Sequence, residues 1–100
     1  MKILLDIDDT SMIINPKTRQ YEEHPKLRDV LSNYEVYLYS GNPEIAEFHK
    51  KWKTKGYISK ESDTYPKADV LIDDMAEQWS TIAIVKKSYT SIDDFLSSQK

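Results

Sequence analysis

From Ile3 to Ile7 the chain reads Ile-Leu-Leu-Asp-Ile, an apolar run of the kind that forms a strand covered on both faces, cut by the carboxylate of Asp6. An ionised carboxyl in such surroundings is costly unless it is paired or bound to a metal, so Asp6 is expected to have a partner. The same design returns along the chain. Glu35–Tyr39 (EVYLY) is a second expected strand and is followed by Ser40, Tyr57–Ser59 a third followed by Lys60, and Ala68–Ile72 a fourth ending in Asp73-Asp74. Thr81–Val85 (TIAIV) is expected as the fifth.

Helical spacing fills the gaps between these runs. Pro25 can open a helix through Leu27, Val30 and Leu31, and Pro43 one through Ile45, Phe48 and Trp52, with Gly56 as its stop. Met75–Trp79 reads as a short helix and Ser91–Ser98 as a last one. Ser91 is its cap, and Asp93 and Asp94 lie in the first turn, at the positive end of the helix dipole. Ser11–Pro25 reads as a loop or small hairpin, and Lys60–Lys67 as a polar loop. Strands alternating with helices make an α/β domain over residues 1–100: a parallel five-stranded sheet flanked by helices. In such folds the working residues gather at the carboxyl ends of the strands. That rule collects Asp6 with Asp8, Ser40, Lys60, and Asp73 with Asp74 on one edge.

Those side chains meet the needs of phosphoryl transfer: a nucleophile, an acid for the leaving oxygen and positive charge over the non-bridging oxygens. Asp6 and Asp8 stand two apart, so one carboxylate can attack while the other moves the proton. Asp73 and Asp74 add oxygen ligands of the sort Mg2+ prefers, and the cation offsets the repulsion among the acids. Ser40 can donate to a phosphate oxygen, and a lysine can neutralise the remaining charge.

Three of these segments together resemble the haloacid dehalogenase (HAD) superfamily. Leu4-Leu5-Asp6-Ile7-Asp8-Asp9-Thr10 looks like its first motif, Val36–Ser40 its second, and Leu71-Ile72-Asp73-Asp74 its acidic fourth. The resemblance implies a Rossmann-like sheet of order 5-4-1-2-3 in chain order, without a cap domain. It implies a Mg2+-dependent phosphomonoester hydrolase in which Asp6 becomes an aspartyl phosphate and Asp8 is general acid, then base. The metal would be held by Asp6, the Asp8 carbonyl and the Asp73-Asp74 pair, with Asp74 as direct ligand and Asp73 in support. Thr10 would steady the loop carrying Asp8, and Ser40 with the Gly41 and Asn42 amides would bind the phosphate. The family's lysine matches either Lys60 or Lys67, with Lys60 preferred because it follows the third strand directly. Ser11-Met12 departs from the family, which often has Leu after the Thr position.

Composition narrows the function. Lys and Arg number 14 against 17 Asp and Glu, for a net charge of -3, which gives no electrostatic reason to expect a nucleic-acid partner. The basic stretch Lys50, Lys51, Lys53, Lys55 reads as a solvated helix face. With no cysteine there is no thiolate catalyst, disulfide or Cys-based zinc site. No signal peptide or membrane-spanning run is visible, and the expected location is the cytoplasm. His24 and His49 read as surface histidines, Asp9 as solvent-facing, and Trp52, Trp79 and Phe48 as packing residues. Tyr37 and Tyr39 share one face of their strand.

The expected partner is a phosphorylated small molecule or macromolecule, with the Ser11–Pro25 loop and its Lys17 and Arg19 facing it. A second copy of the chain is one way to cover a capless site. The alternative is a non-catalytic HAD-fold module that binds Mg2+ or a phosphorylated partner. A two-metal nuclease would need a further Glu and a basic groove. A receiver domain would need a phospho-acceptor Asp after the third strand, where Lys60 stands.

Overall fold

The computed structural model describes residues 1–100. β1 (Lys2–Leu5) lies at the centre of a five-stranded sheet, between β4 (Glu35–Ser40) and β6 (Val70–Ile72); β5 (Gly56–Ser59) and β7 (Lys87–Tyr89) form the edges. The order is β5-β4-β1-β6-β7, and every neighbouring pair is parallel. The segment after β1 is an antiparallel hairpin, β2 (Met12–Ile14) with β3 (Tyr21–Glu23), of the two forms expected for Ser11–Pro25. The helices are α1 (Leu27–Asn33), α2 (Ile45–Trp52), α3 (Ala76–Trp79) and α4 (Ile92–Ser98). No helix is long and apolar enough to cross a membrane.

Alternation along β1 explains why a central strand can be apolar throughout. Ile3 and Leu5, with Ile7 beyond the strand, point into a cluster with Val36, Leu38, Val70 and Ile72, which Leu27, Val30, Ile45, Trp52, Ile92 and Phe95 cover from α1, α2 and α4. Leu4 points to the other face with Tyr39, Leu71, Ala76 and Ala83, and Tyr37 and Trp79 pack on that smaller cluster. Tyr37 and Tyr39 thus share a face, as alternation requires. Trp52 and Phe48 pack from α2 into the larger cluster, tilted against each other at 4.8 Å.

The structure corrects three sequence-based expectations. The fifth strand is Lys87–Tyr89 and not Thr81–Val85. After α3 the chain keeps making turns, since the Ile82 and Ala83 amides both donate to the Trp79 carbonyl at 3.0 and 2.9 Å. The apolar run Thr81–Val85 therefore covers the sheet with Ala83, and touches Lys67 only through an isolated bridge at Ile84. Gly56 is not the stop of α2, because a left-handed Lys53 (φ 55°) already ends that helix. Gly56 belongs to β5, where an added Cβ would come within 3.0 Å of the Tyr37 ring.

His24, expected at the surface, is buried. Its Nδ1 accepts from the Lys26 amide at 3.0 Å, so Nε2 carries the proton and donates to Asp93 at 3.0 Å. That contact fastens the end of the hairpin to the first turn of α4. The cap on α4 is as expected, with the Ser91 hydroxyl accepting from the Asp94 amide at 3.0 Å.

Candidate functional site

Strand register decides which side chains meet. Leu5 lies opposite Leu38 on one side and Ile72 on the other, so the next residue on each path, Asp6 and Asp73, emerges at the same edge. The Asp6 amide closes that register by donating to the Ile72 carbonyl at 3.0 Å. Ser40 pairs with Ser59 at the end of β4 and β5, which delivers Lys60 to the same place. The Lys60 side chain, 9% exposed, reaches inward. Its Nζ lies 3.3 Å from Asp6 Oδ1 and 2.5 Å from Asp73 Oδ2, and sits 4.5 Å above the Trp79 ring.

The charge balance around this lysine is lopsided. One ammonium faces two buried carboxylates, and Asp74 adds a third acid at the rim. Burial, and then the neighbouring charge of Asp73, push the Asp6 pKa from its ordinary 3.8 up to about 7, against the opposing pull of Lys60. Burial also raises Asp73, although Lys60 and the Met75 amide hold it down by hydrogen bonding. The site is therefore short of positive charge. Carboxylate oxygens of Asp6, Asp73 and Asp74 all lie within 4.8 Å of one another, a hard-oxygen set chemically suited to a divalent cation such as Mg2+. Asp73 receives Lys60 and the Met75 amide, and Asp6 receives Lys60 and the Thr10 hydroxyl, so the exposed Asp74 is the least engaged of the three.

Two hydroxyls fix the loop after β1. Ser11 Oγ donates to the Asp6 carbonyl at 2.7 Å, and Thr10 Oγ1 accepts from the Asp74 amide at 3.0 Å. Thr10 Oγ1 also lies 3.5 Å from Asp6 Oδ2 and 3.4 Å from Asp74 Oδ1. Thr10 is buried and engaged by the protein itself, so it ties Asp6 to Asp74 and presents nothing to a ligand. Asp9 takes a left-handed backbone (φ 61°), which Asp tolerates better than most residues, and is exposed as expected. The tight turn it makes leaves Asp8 exposed at the rim.

On the other side, Ser40 Oγ accepts from the Asn42 amide at 3.0 Å, and its own proton has no protein acceptor. Gly41 beside it is exposed, with nothing within 4 Å of where a Cβ would stand. The Asn42 amide is committed to Ser40 and is not free for a ligand; its side chain instead donates to Asp8, at 3.1 and 3.3 Å from the two carboxylate oxygens.

Of the two lysines that sequence left open, the structure brings only Lys60 to the cluster. Lys67 is exposed and precedes β6, at the end of that strand opposite Asp73. Its neighbours are locked to the turn after α3 by the Ala68 amide on the Ile84 carbonyl and the Ile84 amide on the Pro66 carbonyl. Sequence reasoning missed three contributors: Trp79 under Lys60, the Ser11 hydroxyl and the Asn42 side chain. Ser11 had a signal, as the polar residue following Thr10 where an apolar one is common. Trp79 had none, because its role depends on where α3 crosses the sheet. A cleft of about 410 Å3 borders Lys60, lined by Ser62, Thr64, Tyr65, Trp79 and Ile82.

Comparison with protein-family models, with curated proteins and with solved structures finds no match to this chain.

Proposed function

We propose that the chain is a Mg2+-dependent phosphomonoester hydrolase of HAD type, working through an aspartyl phosphate on Asp6. The observation that carries this reading is the convergence on one buried carboxylate, Asp6, of a lysine ammonium, a second acidic pair and a loop bearing Asp8. The sheet order, with β1 central and its acid at the carboxyl edge, supports it.

The chemistry proposed for each residue joins the family resemblance to what surrounds it. An Asp6 oxygen attacks phosphorus while the bond to the leaving oxygen breaks, and Asp8 donates the proton that oxygen needs. In the second half, Asp8 takes a proton from water as the water attacks the phosphoryl group. The bond from phosphorus to Asp6 breaks, releasing phosphate and restoring the carboxylate. Ser40 donates its free hydroxyl proton to a phosphoryl oxygen. Lys60 opposes the rise in the Asp6 pKa and adds positive charge beside it. Asp6, Asp74 and the Asp8 carbonyl would hold Mg2+, which supplies the remaining positive charge over the phosphoryl oxygens when bound. Asp73 orients Lys60. The substrate is a phosphomonoester of a small molecule or of a macromolecule, since Asp8 and Asp74 stand exposed at the rim.

The test is phosphate release from p-nitrophenyl phosphate and a panel of nucleotides, sugar phosphates and phosphorylated nucleic-acid ends, with and without Mg2+. Release that needs the metal and disappears in Asp6→Asn is the expected outcome. Release that persists in Asp6→Asn would overturn the assignment. No release from any substrate together with no beryllium fluoride adduct would favour the non-catalytic module.

A further inference from the structure

The side chain of Asn42 is held at both ends. Its Oδ1 accepts from the Glu44 amide at 2.8 Å, a turn that leads into α2, and its Nδ2 donates to both oxygens of Asp8. This arrangement fixes the orientation of the amide. Turned over, the amide would set its NH2 group against the Glu44 N–H and its oxygen against the Asp8 carboxylate, replacing attractive contacts with repulsive ones. The backbone of the same residue donates to Ser40 Oγ. One residue therefore connects the end of β4, the start of α2 and the exposed loop after β1, across 34 positions of sequence between Asp8 and Asn42.

Asp8 needs such a support. It is exposed, and the residue after it has a left-handed backbone. Its carboxylate has no other protein hydrogen bond, whereas Asp6 and Asp73 are each held by several groups. An exposed aspartate held by nothing would sample its staggered rotamers and spend much of its time away from a leaving group.

We propose that Asn42 is a positioning residue for Asp8, holding the acid–base carboxylate over the site by a preset amide. The role rests on the assignment of Asp8 as the general acid made above. Asn42 touches no reacting atom; it acts through Asp8. The turn into α2 fixes the amide, and its hydrogen bonds fix Asp8 in turn.

The experiment compares two substrates with matched rings. p-Nitrophenyl phosphate releases a stable phenolate that hardly needs a proton, whereas benzyl phosphate releases an alkoxide that needs one. kcat/KM covers events only up to departure of the leaving group, so loss of acid catalysis appears there for benzyl phosphate and not for p-nitrophenyl phosphate. Asn42→Asp keeps an oxygen for the Glu44 amide and removes the donor that faces Asp8. The new carboxylate facing Asp8 should lower the urea midpoint somewhat, and the variant should lose about tenfold or more in kcat/KM on benzyl phosphate but less than about threefold on p-nitrophenyl phosphate. Asn42→Ala should show the same selectivity with reduced stability. Equal losses on both substrates, or a change in KM alone, would refute the role of Asn42 and leave the hydrolase assignment standing. Wild type inactive on both substrates, with the substrate panel and beryllium fluoride also negative, would remove the assignment and the role with it.

Discussion

Replacing Lys60 by Met isolates the electrostatic core of the site. The methionine keeps most of the length that packs on Trp79 but removes the ammonium bonded to Asp6 and Asp73 at 3.3 and 2.5 Å. Both acids are then buried without a counter-charge. Breaking a buried ion pair from one side costs about 3–5 kcal/mol. Here the acids can escape part of that cost by binding protons, because burial already raises both pKa values, Asp6 to about 7. The loss should therefore be about 3 kcal/mol at pH 8 and shrink to about 1 kcal/mol, the worth of the lost hydrogen bonds, at pH 5. The direction follows from linkage. Lys60 favours the ionised acids, so what it contributes is present where they are charged and fades as pH falls through their folded pKa values. Urea unfolding of the metal-free protein at the two pH values, with m unchanged, reads this directly. Lys67→Met serves as the control and should stay within about 0.5 kcal/mol, since Lys67 is exposed and remote from the cluster. A loss of the same size at both pH values would mean that the ionisation of Asp6 and Asp73 has no part in what Lys60 contributes. A loss in Lys67→Met as large as in Lys60→Met would refute the placement of the site lysine.

Asp6→Asn should act in the opposite direction in metal-free protein at pH 8. Keeping ionised a carboxyl whose pKa has moved from 3.8 to about 7 costs at most about 4 kcal/mol, so the amide should raise the urea midpoint. The raised pKa means that stability is fullest below 3.8 and is lost as pH rises towards 7, so the gain should vanish near pH 4; a gain over wild type no larger at pH 8 than at pH 4 would contradict it. Gly56→Ala should cost about 1–3 kcal/mol, because its Cβ would stand 3.0 Å from the Tyr37 ring on a packed face, and a neutral result in thermal melts would show that the ring moves freely. Hydrogen bonds from Lys26 and then His24 hold Asp93 below the usual carboxylate range, so what it contributes is present above about pH 4 and lost as pH falls further. Asp93→Asn should cost under about 1 kcal/mol at pH 6 and nothing at pH 2, measured by urea titration at each pH.

Much of the sheet was legible because its central strands are buried on both faces and read as continuous apolar runs ending in chemistry. β1, β4 and β6 carry this signature, and their ends placed Asp6, Ser40 and Asp73 on one edge. β7 was illegible for the converse reason: Lys87-Ser88-Tyr89 is an edge strand, largely exposed, with no periodicity to separate it from a loop. Thr81–Val85 misled because an apolar run buries itself as readily in turns over a sheet as in a strand within it. At the site, the types of the acidic residues were readable, whereas the split between Asp73 and Asp74 came from the family resemblance and not from the residues themselves. Asp73 lies inward beneath Lys60 and Asp74 outward beside Thr10, and that difference depends on the turn after β6 and on the path of α3. His24 looked like a surface residue because its partner Asp93 lies 69 positions away.

The most direct test of the central claim is formation of a phosphoryl mimic on Asp6, followed by fluorine NMR of wild type and Asp6→Asn mixed with beryllium fluoride. The account predicts a bound trifluoroberyllate resonance in wild type that requires Mg2+ and is absent from Asp6→Asn. A bound resonance of equal intensity in Asp6→Asn, or none in wild type at saturating Mg2+, would contradict Asp6 as the residue that takes up the phosphoryl group.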